Sequence, residues 1–182
     1  MSPILTLMSI LLLLTACSGN NDDSELYLDS SPLVIAAEEN DIDKVRSLLA
    51  ENADINATDD CQWTALMKAS LYGHQAIAEL LLQHGAAVDL VDSGGYTALL
   101  LAASNNHTAI VIALLNKGAS INHQEQTRGW TALIWAAKRG HTDVVRLLLE
   151  RNADKNLTDL NGKTALSWAM ETNEAAIIAL LQ

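Results

Sequence analysis

The chain has no phenylalanine, few cations, and no apolar run long enough to cross a membrane. Eleven Lys and Arg stand against 22 Asp and Glu, for a net charge of −11. Gripping a phosphate backbone needs clustered Lys and Arg to displace counterions, so nucleic acid is excluded as a partner. The shortage is uneven: no Lys or Arg precedes Lys44, while Asp22, Asp23, Glu25, Asp29, Glu38, Glu39, Asp41 and Asp43 do. That acidic front end reads as a solvated surface. A spanning helix needs about 20 apolar residues, and the apolar stretch from Ile4 to Ala16 is shorter than that. There is no Cys-x-x-Cys pair, no His-Glu-x-x-His, no P-loop and no Gly-x-Ser-x-Gly, so an enzyme would need a site the sequence does not show. No cofactor or metal signature is present either. What remains is 49% apolar, mostly Leu, Ala and Ile, which suits thin helices packed in close layers.

The stretch from Ile4 to Ala16 has the length of a signal-peptide core. It ends in Leu14-Thr15-Ala16-Cys17, which resembles a bacterial lipobox, although Met1-Ser2-Pro3 carries no Lys or Arg. The resemblance implies that residues 1–16 are removed and that Cys17 becomes the lipid-modified first residue. Residues 17–30 then form an acidic tether, with a span of roughly 20 Å if it behaves as flexible coil. The Ser18 after Cys17 resembles the outer-membrane sorting pattern of Gram-negative lipoproteins. The expected location is therefore the bacterial envelope, lipid-anchored at the outer membrane and facing the periplasm. Lipidation withdraws Cys17 from disulfide chemistry, and Cys61, the second cysteine, then reads as a small apolar side chain in a loop.

From Ser31 onward the chain repeats. Trp63-Thr64-Ala65-Leu66, Tyr96-Thr97-Ala98-Leu99, Trp130-Thr131-Ala132-Leu133 and Lys163-Thr164-Ala165-Leu166 are spaced by 33, 34 and 33 residues, with a weaker copy at Ser31-Pro32-Leu33. A period of this size means a stacked array in which each unit buries its apolar face against its neighbours. The hydroxyls of Ser31, Thr64, Thr97, Thr131 and Thr164 are expected to cap five first helices, with Pro32 at the first helical position of the first. Gly73-His74, Asn106-His107 and Gly140-His141 mark turns into second helices. Asn52, Gly85, Gly118 and Asn152 close those helices, and a finger follows each stop.

Thr-Ala-Leu-x-x-Ala, then Gly-His, then Leu-Leu-Leu-x-x-Gly-Ala-x-x-Asn resembles the ankyrin repeat. The resemblance covers residues 31–182, with repeats at about 31–63, 64–96, 97–130, 131–163 and 164–182. It implies an all-α solenoid of five helix-turn-helix units with finger loops, and a concave surface of finger tips and first helices that binds a protein partner. The family's Pro and His after the Thr are mostly replaced here, the His position holding Val34, Met67, Leu100, Ile134 and Ser167. Three of the five histidines, His74, His107 and His141, share one repeat position, which marks them as structural. His84 and His123 have no partner at ligand spacing.

The residues just before each Thr are Trp63, Tyr96, Trp130 and Lys163. Large aromatics are frequent energetic anchors of interfaces, so these, with Tyr72, Arg128 and Arg139, are the expected partner contacts. A competing expectation is that the rings only shield the next helix start. The finger from His123 to Gly129 is one residue longer than its counterparts. Lys44 sits where later copies have Ile77, Ile110, Val144 and Ile177, which reads as an N-terminal cap. The last second helix, with Ala175, Ala176 and Ala179, reads either as a surface for weak self-association or as a place where Ala is tolerated. The expected function is a non-catalytic interaction module anchored in the bacterial envelope; the alternative is an inhibitor or immunity-type protein that occludes a partner enzyme or toxin.

Overall fold

A computed structural model describes residues 31–182; the expected signal peptide, Cys17 and the tether lie outside the described residues. Ten helices follow one another without a strand among the described residues. They alternate as first and second helices of five repeats: α1 (Pro32–Glu38) and α2 (Ile42–Ala50), α3 (Ala65–Tyr72) and α4 (Gln75–Gln83), α5 (Ala98–Ser104) and α6 (Thr108–Asn116), α7 (Ala132–Lys138) and α8 (Thr142–Glu150), α9 (Ala165–Glu171) and α10 (Ala175–Leu181). Each first helix packs on the next first helix and each second helix on the next second helix, giving two layers. No helix among the described residues is long and apolar enough to cross a membrane.

Helices this short are marginal alone, so both their ends and their neighbours have to stabilise them. The four threonine caps form as expected: the Oγ1 atoms of Thr64, Thr97, Thr131 and Thr164 accept from the amides of Met67, Leu100, Ile134 and Ser167 at 3.2–3.3 Å. Ser31 does not cap with its side chain, because its backbone (φ −56°, ψ 133°) departs from the fully extended shape of the threonines. The turns between helices place Asn40, Gly73, Asn106, Gly140 and Asn173 in the left-handed region. At Gly73 the demand is double: its φ is 78°, and a Cβ there would lie 2.5 Å from the His107 ring of the next repeat.

Three rows of hydrogen bonds fasten repeat to repeat. At the helix turns, the Nε2 atoms of His74, His107 and His141 donate to the carbonyls of Glu38, Leu71 and Ser104 one repeat earlier, at 3.0–3.2 Å. Burial holds the imidazoles of His107 and His141 below their ordinary pKa, in keeping with neutral, structural rings. Beyond the second helices, the side chains of Asn56, Asp89 and Asn122 accept from the amides of Ala87, Ser120 and Asp154 in the following repeat. Along the fingers, the amides of Ser93, Gln126 and Leu160 donate to the carbonyls of Cys61, Gly94 and Arg128. The fingers are thus joined edge to edge with strand-like bonds but no strand.

The core is continuous through the stack, built from Ala and Leu of the first helices and the branched residues of the second. Lys44 is exposed, whereas Ile77, Ile110, Val144 and Ile177 at its register are buried, so the polar first cap sits as expected. At the other end, Met170 is 53% exposed where Ala37, Ser70, Ala103 and Ala137 are fully buried against a following repeat.

Candidate functional site: the finger and first-helix face

Each finger tip is folded around one carboxylate. In the first finger, Asp59 Oδ1 accepts from the amides of Cys61 and Trp63 at 3.0 and 2.8 Å. Asp92 does the same for Gly94 and Tyr96, and Asp159 for Asn161 and Lys163. The amide of the acidic residue returns a bond to the carbonyl of Trp63, Tyr96 or Lys163, so the tip closes on itself. The third finger has one residue more, and there the acid is Glu125. Its longer side chain accepts from the amides of Thr127, Arg128 and Trp130 and from the Thr127 hydroxyl. An extra methylene in the side chain compensates for an extra residue in the loop. This row of acids at positions 59, 92, 125 and 159 was missed in the sequence, although it follows the repeat spacing.

The carboxylates differ in environment. Burial lifts Asp92 above its ordinary carboxylate value, against the amides of Tyr96 and Gly94, and repulsion from Asp59 and Glu125 adds to the rise. Burial also penalises Asp159, but its donors outweigh that and hold it below the ordinary value. Besides the Lys163 and Asn161 amides, those donors include two indoles: Trp130 Nε1 and Trp168 Nε1 both donate to Asp159 Oδ2 at 3.0 Å.

The expected row of contact residues divides into two clusters. In the N-terminal cluster, Trp63 is 8% exposed and Lys68 Nζ lies 5.1 Å from its ring centroid. Lys68 pairs with Glu38 at 2.9 Å and reaches Asp59 at 3.7 Å. Tyr72 is half-buried, stacks on His74, and donates its hydroxyl to Glu38 Oε1. The C-terminal cluster gathers Tyr96, Trp130, Trp135 and Trp168. Trp130 meets Trp135 and Trp168 edge-on, with centroids 4.5 and 5.1 Å apart, and Tyr96 lies 6.3 Å from Trp135. Four cations lie over these rings. Arg128 is 5.0 Å from the Trp130 centroid, Arg139 is 4.9 Å from Trp135, and Lys138 and Lys163 are 3.6 and 4.4 Å from Trp168.

This geometry changes the expected role of the aromatics. Tyr96 and Trp130 are 7% and 5% exposed, so with Trp63 their faces are spent on neighbours and not offered as rings to insert into a partner. They shield the helix starts, as the competing expectation had it, and serve as platforms for cations. Arg128 is exposed, and Lys138, Arg139 and Lys163 are half-buried, so the charges are what the surface presents. Lys163 is paired with Glu171. Trp135 and Trp168, with Lys138 at the end of the same first helix as Trp135, complete the cluster; the two tryptophans were not among the expected contacts, and the signal was their shared register, four residues after Thr131 and Thr164.

The remaining polar residues belong to the scaffold. His84 Nδ1 bonds its own helix at the Leu80 carbonyl, and His123 Nε2 bonds the Gly95 carbonyl in the preceding finger. Cys61 is half-buried in the first finger and packs against the core. No group of His, Cys, Asp or Glu among the described residues is arranged to hold a metal ion.

Compared with known proteins, the chain matches the family described as "Ankyrin repeats (3 copies)" over residues 33–125 and 120–182. With the repeated helix pairs and fingers, this match shows that the chain belongs to the ankyrin-repeat family, whose members are typically non-catalytic modules of protein–protein interaction. No curated protein matches the chain.

Proposed function

We propose that this chain is a lipid-tethered binding module of the bacterial envelope, presenting its fingers and first helices to a partner protein in the periplasm. One observation carries the choice of face. The side chains that staple the stack recur from repeat to repeat, whereas those on the finger side of the first helices do not. Tyr72, Asn105, Arg139 and Thr172 share one register, and each is half-buried or exposed. Positions that the stack dictates repeat; positions open to a partner are free to diverge. The envelope anchor rests on Leu14-Thr15-Ala16-Cys17 and the polar stretch after it.

Photo-crosslinking residues placed at Tyr72, Asn105 or Thr127 should capture a partner, and those at Ala109 or Asp143 on second helices should not. Equal capture from both sides overturns the choice of face. A partner enzyme whose activity falls on mixing would make the module an inhibitor. For the anchor, Cys17→Ser should abolish incorporation of labelled palmitate and move the protein from the membrane to the soluble fraction; an unchanged distribution overturns it.

A further inference from the structure

The finger face carries two cation sets built on the same plan but completed differently. In the N-terminal set, Lys68 lies over Trp63, and the chain supplies its acids: Glu38 at 2.9 Å and Asp59 at 3.7 Å. In the C-terminal set, Arg128, Lys138 and Arg139 lie over Trp130, Trp135 and Trp168, and none of the three has a carboxylate oxygen within 4.0 Å among the described residues. Glu38 and Lys138 occupy the same repeat register, so where the first set has an acid the second has another cation.

Burial lowers the pKa of Lys138 and of Arg139; around Lys138 the attraction of Glu171 comes next and works against it, ahead of repulsion from Arg128 and Lys163. Beneath Arg128 and Arg139, Trp135 Nε1 is buried with no hydrogen-bond acceptor. Arg139 already donates to the Ser104 carbonyl at 2.9 Å, but Arg128, Lys138 and the buried Trp135 N–H, in a chain of net charge −11, leave a local demand for acceptor oxygens. A stacked guanidinium keeps its N–H edge free for a carboxylate. Beside the patch, the Leu160 amide bonds the Arg128 carbonyl, and Leu160 is 72% exposed.

We infer that the patch of Arg128, Lys138 and Arg139 binds a carboxylate-rich segment of the partner protein, whose acids take the place that Glu38 holds over Lys68 and whose apolar side chain packs on Leu160. The acidity of the rest of the molecule selects for a short segment: an extended polyanion or an anionic membrane would meet repulsion around the patch, whereas one loop or tail fits inside it. The inference rests on the proposed interaction face and narrows it to one partner chemistry.

The test uses the chain from Cys17 onward and a fluorescein-labelled peptide with Asp and Glu clustered beside one Leu. Binding should weaken at least about tenfold when the acids are changed to Asn and Gln, and should fall steeply with salt. Arg128→Gln with Lys138→Gln should cause a similar loss, and Lys117→Gln, which removes the same kind of charge just past the end of a second helix, should not. Circular dichroism checks folding, and the exposed Arg128→Gln alone keeps the test open if the pair unfolds. Equal binding of the acidic and neutral peptides overturns the inference, as does an equal loss with Lys117→Gln. Binding to phosphatidylglycerol vesicles through the same residues, with the peptide refused, overturns it in favour of a lipid surface. Crosslinking from Tyr72 or Asn105 that succeeds while the acidic peptide is refused leaves the interaction face standing and removes only the acidic partner.

Discussion

Asp92 and Asp159 hold the same place in their fingers, and each gives one oxygen to two backbone amides. Their second oxygens differ. Asp159 Oδ2 takes two indole N–H groups, and the net effect of its donors is to favour the charge. Asp92 is raised by burial and by its acidic neighbours, so its charge is disfavoured. Asp92→Asn keeps an oxygen for the two amides and removes the repulsion; its urea midpoint should stay within error of the parent or rise. Asp159→Asn would turn an amide NH₂ toward two indole donors, and should cost about 2–3 kcal/mol. Trp130→Ala removes a ring packed on Trp135 and Trp168 and should cost about 3–5 kcal/mol. A Trp130→Ala protein as stable as its parent would return the ring to the role of a pure contact residue. From sequence, an aromatic residue before three of the four threonines looked like an anchor. Whether such a ring faces a partner or its own neighbours depends on three residues that meet only in the stack: Trp135, Trp168 and Asp159.

At the scale of the element, the finger shows side-chain length and loop length acting together. Glu125→Asp shortens the carboxylate beneath a loop that keeps its extra residue, so it should lose reach to the Thr127, Arg128 and Trp130 amides and cost about 1–2 kcal/mol. Removing Thr127 in the same background restores the spacing of the other three fingers and should recover part of the loss; no recovery would separate the acid from the loop length. The helix turns carry a pH dependence. His107 and His141 have lowered pKa values from burial, so the unfolded chain binds protons more readily than the folded one. Their contribution to stability is complete above the ordinary imidazole pKa of 6.5 and is lost as pH falls through the folded values. Thermal midpoints should therefore decline on acidification from neutrality, and His107→Gln with His141→Gln should flatten that part of the profile. The threonine caps, the turns at Gly73, Asn106 and Gly140 and the helix stops were legible in the sequence, because each is a local demand met by a local residue type; the Ser31 cap expected with them did not form. The finger carboxylates were not, because nothing local separates an acid turned into its own loop from one in solvent.

For the whole molecule, stability is shared between neighbours and not gathered in one centre. The last repeat has a neighbour on one side among the described residues: Leu166, Trp168, Ile178 and Leu180 remain half-buried, and Met170 is open. Amides of α9 and α10 should exchange with deuterium faster than those of α5 and α6, which are covered on both sides. Uniform protection along the stack would mean a single cooperative unit. The Ala-rich last helix fits either expectation made for it, since Ala175, Ala176 and Ala179 are all exposed.

The sequence by itself determined the architecture. A period near 33 residues, with caps and left-handed stops at fixed offsets, leaves short helix pairs one way to bury their apolar faces, namely against each other. The tertiary structure alone decided what the finger face presents. It buried Trp63, Tyr96 and Trp130, balanced Lys68 with Glu38 and Asp59, and brought Arg128, Lys138 and Arg139 together with no described carboxylate in ion-pair range of them. These side chains come from different repeats, and only stacking sets the few ångströms between them on which burial and charge balance depend.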